Sequence, residues 1–491
     1  MTGQSGNHNI LQREQPSTGA VTGHYPDGRP ILTFTANAVD ALPAGGVYNV
    51  LDYGAMGDGV TDDRAAIQAA LDACHLAGGG IVDLLPGVYL LNSTVTTSLN
   101  GCISCLVTYA DVTLRGAGRD ATTLRLGANL PDLTRGIVNY NNNTGGAGDT
   151  SITLRDFTLD GNNANQSSAN AQSGIFLQYT QGTVIERVRV LNIYGTGSSG
   201  ASEGFFCTID TSSDARVIAC TCLNTGTNAS SGFSANYSTN LAYTDCTSSG
   251  MTHSMGFTNY GCTHVSHSGC MSYTNALHGF NTEVGVDIEY VNCHGGISAA
   301  SQGGFNSFPF TSGQVLGNTA DGYHVRGSQR VSLTNCVAEN NGGNGVTISV
   351  ASTEGIAGQY ASITGGSYSS NTGYALACDA SATGYVVFTG RPRITSNTAG
   401  SFSVFVNGVA TAAYAGGQQP LPTVPASTTA LLSPFPIPSW VIISGGTVTA
   451  ILLNGASVAT ATPEAIFVPP GSTLAITYSA VPSWAWHALF M

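Results

Sequence analysis

The chain has 491 residues, only 9% of them charged, with 63 glycines and a formal net charge of −13. That length suits one large solenoid plus small modules, and the composition excludes a helical domain or a charge-rich disordered chain. All fifteen basic residues are arginine. The acidic balance excludes nucleic acid and anionic membrane as partners, and the lack of lysine excludes a lysine base or Schiff base.

Residues 1–44 are polar and Gly/Pro-punctuated, with one apolar patch at Ile31-Leu32-Thr33-Phe34. They read as an arm or attachment segment. Met1 to Gln15 has no hydrophobic signal region, and no run of eighteen apolar residues exists for a membrane span. No membrane insertion is expected, and synthesis in a cytoplasm is.

Residues 45–91 hold Tyr48-Asn49-Val50-Leu51-Asp52-Tyr53-Gly54-Ala55, then Gly57-Asp58-Gly59-Val60-Thr61-Asp62-Asp63. An amphipathic helix is predicted over 62–77, capped by Thr61 or Asp62, with Ile67, Ala70, Leu71 and Cys74 as its apolar stripe. Gly78-Gly79-Gly80 ends it, and Ile81 to Leu90 reads as strand, Pro-Gly turn, strand. Asp58, Asp62 and Asp63 suit turn and cap geometry. This ordered stretch resembles the N-terminal cap of pectate-lyase superfamily proteins, including bacteriophage tailspikes and minor tail proteins. The resemblance implies a single-stranded right-handed parallel β-helix whose open end is closed by an α-helix. It does not fix a reaction, because lyases, hydrolases, epimerases and inactive binders share the fold.

The β-helix is expected over 45–406. Between 174 and 378 a glycine followed by a bulky residue recurs at intervals of 18 to 30 residues: Gly174-Ile175, Gly204-Phe205, Gly232-Phe233, Gly256-Phe257, Gly279-Phe280, Gly304-Phe305, Gly322-Tyr323, Gly345-Val346 and Gly373-Tyr374. After each glycine, inward and outward positions alternate with period two. Cys222, Cys246, Cys270, Cys293 and Cys336 form a second ladder, so the twelve cysteines read as stacked, unpaired core thiols. Cys262, His264, His267 and Cys270 mimic zinc-ligand spacing, but the register turns His267 inward beside Tyr243 and Tyr290.

Prolines 420, 422, 425, 434, 436 and 438 mark a linker over 407–438. Residues 439–491 read as a small antiparallel β-domain with turns at Gly445-Gly446, Asn454-Gly455 and Pro470-Gly471. Its turn order resembles C-terminal modules of actinobacterial phage tail proteins, and it is expected to serve trimerisation or glycan binding. The all-β whole is thus expected to be a homotrimer on a virion tail, contacting tail or baseplate proteins and a host surface polysaccharide.

The outward rows offer the candidate site. Tyr260 and Phe308 are expected on either side of Glu283, with Asn281, Asn306, His324 and Arg326 alongside. These types stack on sugar rings and bond their hydroxyls. His278 and Asp321 precede their glycines and are placed two coils apart. Glycoside hydrolysis commonly needs two carboxyl groups, so Glu283, Asp287 and Asp321 are the catalytic candidates, with Tyr260, His278, Asn281, Asn306, Phe308, His324 and Arg326 binding substrate. No metal and no cofactor are expected. The polygalacturonase signature is missing; Asn281-Thr282-Glu283 and Leu277-His278-Gly279 are faint echoes of it. Three classes of function fit: a virion depolymerase, hydrolase before lyase; a virion adhesin without turnover; and a free cellular polysaccharide hydrolase or lyase.

Overall fold

Each coil is built the same way, and the coil around Glu283 shows why. Strand Phe280–Glu283 turns a corner at Val284, and strand Val286–Val291 follows. A second corner at Asn292 leads to strand His294–Gly295. Corner residues have left-handed backbone (φ 52° at both Val284 and Asn292), which lets three short strands close a triangle. Stacking the coils in register makes three sheets, parallel except for an antiparallel strand at each end of the first, and a right-handed β-helix. The first sheet has thirteen strands and carries Phe280–Glu283; the second and third have twelve each. The computed structural model describes residues 23–24, 30–31, 45–96, 103–141, 148–167, 171–195, 206–225, 231–252, 254–298, 315–349, 360–378, 385–389, 393–406, 409–414, 424–433, 439–469 and 471–488. Among them no helix is long and apolar enough to cross a membrane.

The helix at Arg64–Leu76 buries Ile67, Ala70, Leu71 and Cys74 against the first coils. Its neighbouring aspartates are spent on backbone. Asp63 accepts from the Met56 and Gly57 N–H groups, Asp62 from Arg64 and Asn92, and Asp58 from Val60 and Thr61.

Like residues stack on like inside the helix. Phe233, Phe257, Phe280 and Tyr323 form a column with centroids 4.8, 4.9 and 5.0 Å apart. His267 lies flat between Tyr243 and Tyr290, 4.8 Å from each, with its Nε2 on Asn259. His264 is on the outer face, bonded to Asp287, so the zinc-like spacing does not converge. An asparagine ladder, Asn275–Asn318–Asn341–Asn371–Asn397, is linked by amide bonds of 2.8, 3.0, 2.8 and 2.9 Å. It satisfies one turn of each coil internally and fixes the stacking register.

Three sequence registers need correction. Cys220, not Cys222, continues the thiol ladder, because Thr221 pairs with Thr247; Cys222 faces inward beside Ser248. Ten cysteines among the described residues are buried and unpaired. Ile175 pairs with Cys207, two positions past the residue that the Gly204 motif implied, so Thr208 follows Phe176 and Asp210 follows Gln178 along the outer rows. Finally, strand Phe280–Glu283 pairs directly with Tyr323–Arg326. The Gly304-Phe305 motif lies outside the described residues, and the ladder has no strand between these two. Between the two coils, strands Ile297–Ser298 and Val315–Leu316 form an excursion from the wall by pairing antiparallel with each other.

The C-terminal module has a four-stranded and a three-stranded antiparallel sheet around Val441, Ile443, Ile451, Val468, Leu474, Ile476 and Trp484. Ala430–Leu432, inside the proline-rich stretch, pairs with Thr473–Ala480 in this module. The Trp440 and Trp486 side chains lie outside the described residues.

Candidate functional site on the thirteen-stranded sheet

Because the excursion adds no coil, two neighbouring strands bring most of the sequence candidates together. Asn281 pairs with His324 and Glu283 with Arg326, while His278 and Asp321 precede the glycines of the same two coils. His278 and Asp321 are therefore in adjacent coils, not two apart. Asn306 and Phe308 lie outside the described residues; the neighbours of Glu283 along its row are Tyr260 and Arg326.

The hydrogen bonds assign the protons. Asn281 Nδ2 donates to Glu283 Oε1 at 3.4 Å, which turns Asn281 Oδ1 toward His324 Nδ1 at 2.8 Å. An amide oxygen only accepts, so Nδ1 carries the proton and Nε2 keeps its lone pair, facing Ser349 Oγ at 3.3 Å. Burial, then nearby His278 and Arg326, push the His324 imidazole down to about 4 against the opposing pull of Asp321. His324 is thus a neutral proton acceptor at physiological pH.

Asp321 is the anion of the cluster. One carboxylate oxygen stands 3.4 Å from His278 Nδ1, and the other accepts the Asn344 N–H at 2.7 Å. Burial pushes this carboxyl up, but His278 and the Asn344 N–H outweigh it and hold it below the usual carboxylate value. The His278 and His324 rings stack 4.3 Å apart, 12° from parallel. Arg326 Nη1 is 3.6 Å from Glu283 Oε1.

Could the cluster hold a metal? One donor atom each from His278, Asp321 and His324 lies within 4.8 Å of the others. The stacked rings, however, send their in-plane lone pairs side by side instead of to one point, so one ring would have to turn before both could ligate an ion.

Asp287 belongs to another face. It lies on the second sheet, bidentate to Arg330 and bonded to His264, in a shallow groove with Glu289 and Ser332. Arg330 holds its carboxyl below the ordinary value. Glu283 and Asp287 are thus on different sheets, each with its own arginine. Asp210 falls in the row of Glu283, three strands away, about 14 Å at the ladder spacing. Burial raises its carboxyl. Ser349 and Asn344 also join this cluster, with no distinctive residue type to mark them. Their register beside Arg326 and after Asp321 was the only signal, and serine and asparagine fill every turn of this chain.

Residues 47–306 match the family model described as rhamnogalacturonase A/epimerase, pectate lyase-like. The chain belongs to this family. Among curated relatives, the mannuronan C5-epimerase AlgE6 of Azotobacter vinelandii is 41% identical over 157 residues, covering 30% of this chain and 17% of that protein. Alginate lyase 7 of the same organism is 34% identical over 153 residues, 30% of this chain and 17% of that one. The chain thus spans less than a third of the length of these relatives. Among solved structures, the A-module of mannuronan C5-epimerase AlgE4 superposes with a TM-score of 0.52 at 23% identity, covering 73% of this chain and 98% of the module, a likeness of fold.

Proposed function

We propose that this protein binds a uronate-containing polysaccharide along the outer face of the thirteen-stranded sheet and cleaves it at the His278–Asp321–His324 cluster. The observation that carries this reading is a neutral, proton-accepting His324 two residues from Arg326 on one short strand. Arg326 suits the sugar carboxylate, whose neutralisation acidifies the proton on the adjacent carbon. His324 Nε2 takes that proton, the bond to the glycosidic oxygen breaks with its electron pair, a carbon–carbon double bond forms, and water protonates the departing oxygen. Asp321 stabilises the positive charge that His324 gains with the proton. The relatives named for mannuronan epimerisation and for alginate cleavage favour a uronate substrate.

Elimination replaces hydrolysis as the preferred reading because the cluster offers proton acceptors. Asp321 is held ionised, and the carboxyl that burial raises, Asp210, is about 14 Å from Glu283. Deployment on a phage tail, as a homotrimer joined to tail proteins through 1–44, is part of this proposal and rests on the resemblances of 45–91 and the C-terminal module. The test is incubation with polymannuronate, polygalacturonate and acidic capsular polysaccharides. Unsaturated ends formed by wild type and not by a His324→Ala variant are expected. New saturated reducing ends would mean hydrolysis, and binding without any product would mean an adhesin.

A further inference from the structure

The corner that follows the site row has the same left-handed backbone in six successive coils, at Tyr179, Thr211, Tyr237, Gly261, Val284 and Gly327, with φ between 44° and 61°. Glycine or asparagine adopts this backbone at little cost, and an aromatic side chain does not. Gly261 and Gly327 are the low-strain solutions here, and Asn192, Asn292 and Asn335 serve at other corners of the same solenoid. Tyr179, Thr211, Tyr237 and Val284 hold the same corner with side chains, and of these Tyr237 is the one with a large ring left 63% exposed, so burial in the core does not offset its strain.

The next coil accommodates that ring. A methyl group on Gly261 would come within 2.8 Å of the Tyr237 ring, so the ring lies over a residue that has no side chain. Tyr260 meets Tyr237 edge-on, centroids 5.4 Å apart and planes at 88°. Tyr260 in turn pairs with Glu283, and Glu283 with Arg326, so Tyr260 is in the row of the proposed site and Tyr237 borders it, one residue past Asn236.

We propose that Tyr237, braced by Tyr260 and Gly261, is a stacking platform for a pyranose ring of the polysaccharide bound at Glu283 and Arg326. The proposal rests on the reading of that face as the glycan site. One side of the Tyr237 ring lies against Gly261, and the exposed ring offers the apolar surface that the C–H face of a pyranose packs on. The ladder spacing of about 4.8 Å is close to the advance per sugar of an extended chain, and the coil of Tyr237 is three strands from that of Arg326, so the platform holds a unit two to three steps from Arg326. It positions substrate and takes no part in proton transfer.

Tyr237→Gly tests this cleanly, because glycine keeps the left-handed corner and removes only the ring. Affinity electrophoresis in polymannuronate and polygalacturonate, with turnover and thermal unfolding followed in parallel, compares wild type, Tyr237→Gly and Tyr237→Phe. Retardation is expected to weaken about tenfold in Tyr237→Gly and to persist in Tyr237→Phe, with the unfolding midpoint of the glycine variant not lowered. Unchanged retardation in Tyr237→Gly overturns the platform, as does a midpoint lowered to the level of a core deletion, which marks a structural ring. A wild type that is retarded but cuts nothing sinks the catalytic reading and leaves the platform standing. Cleavage that Tyr237→Gly does not alter sinks the platform alone.

Discussion

His278 and Asp321 meet at 3.4 Å across forty-three residues of chain, at the same position of two adjacent coils. Strands Ile297–Ser298 and Val315–Leu316 pair with each other between these coils, and the ladder passes directly from Phe280–Glu283 to Tyr323–Arg326. The site therefore depends on one insertion leaving and rejoining the wall in register.

Replacing His324 tests the proposed base. His324→Ala is expected to lower the turnover rate roughly 10²- to 10⁴-fold, the range of general base catalysis. Asn281→Ala removes the amide that sets the His324 tautomer and lowers turnover less, with KM little changed. Initial rates of unsaturated product decide this; equal loss in kcat and binding for Asn281→Ala would argue against a tautomer role.

Arg326→Ala is expected to cost roughly 10- to 100-fold in kcat/KM on a uronate polymer, the worth of a hydrogen bond to a charged group. A carboxyl-reduced version of the same polymer supplies the control. An equal loss on the reduced polymer would show that Arg326 serves Glu283 instead of the substrate.

Acid should weaken the fold through its buried histidines. Burial depresses the His267 imidazole to about 3 from an ordinary 6.5, and His324 to about 4. The unfolded chain then binds more protons than the folded one below pH 6.5, so stability is full above 6.5 and falls as pH drops toward these values. Urea midpoints between pH 7 and 4 should decline. His267→Phe, which keeps a ring between Tyr243 and Tyr290, should make the decline shallower; an unchanged slope would refute the assignment.

The aromatic column should dominate local stability. Phe257→Ala empties a place between Phe233 and Phe280 and is expected to cost roughly 3–5 kcal/mol. Chemical denaturation measures it, and a loss under about 1 kcal/mol would show that the column collapses to fill the gap.

Thiol reagents should find the described cysteines inert in the native state. Burial raises the Cys105 and Cys207 thiols to about 12, and the Cys246–Cys270–Cys293–Cys336 ladder is wholly interior. Rapid native labelling of Cys270 or Cys293 would contradict the packing.

Local pattern alone determined the solenoid. Alternation along Phe280 to Glu283 separates inner from outer faces within four residues, and the 62–77 stretch carries its own stripe and stop signals, so the structure's helix at Arg64–Leu76 follows from neighbouring residues. It also made Tyr260, Asn281, Glu283, His324 and Arg326 outward residues of one face. What only the tertiary structure decided is which coils touch. A glycine followed by an aromatic marks a coil at Gly279-Phe280 and again at Gly322-Tyr323, but the pattern also implied a coil between them that the ladder does not have, and only hydrogen-bonded register shows which strands are neighbours. For the same reason the meeting of His278 with Asp321, the separation of Glu283 from Asp287, and the seat of Tyr237 over Gly261 could not be read from spacing. Each depends on which residue the next coil brings alongside, a property of stacking and not of the segment that carries it.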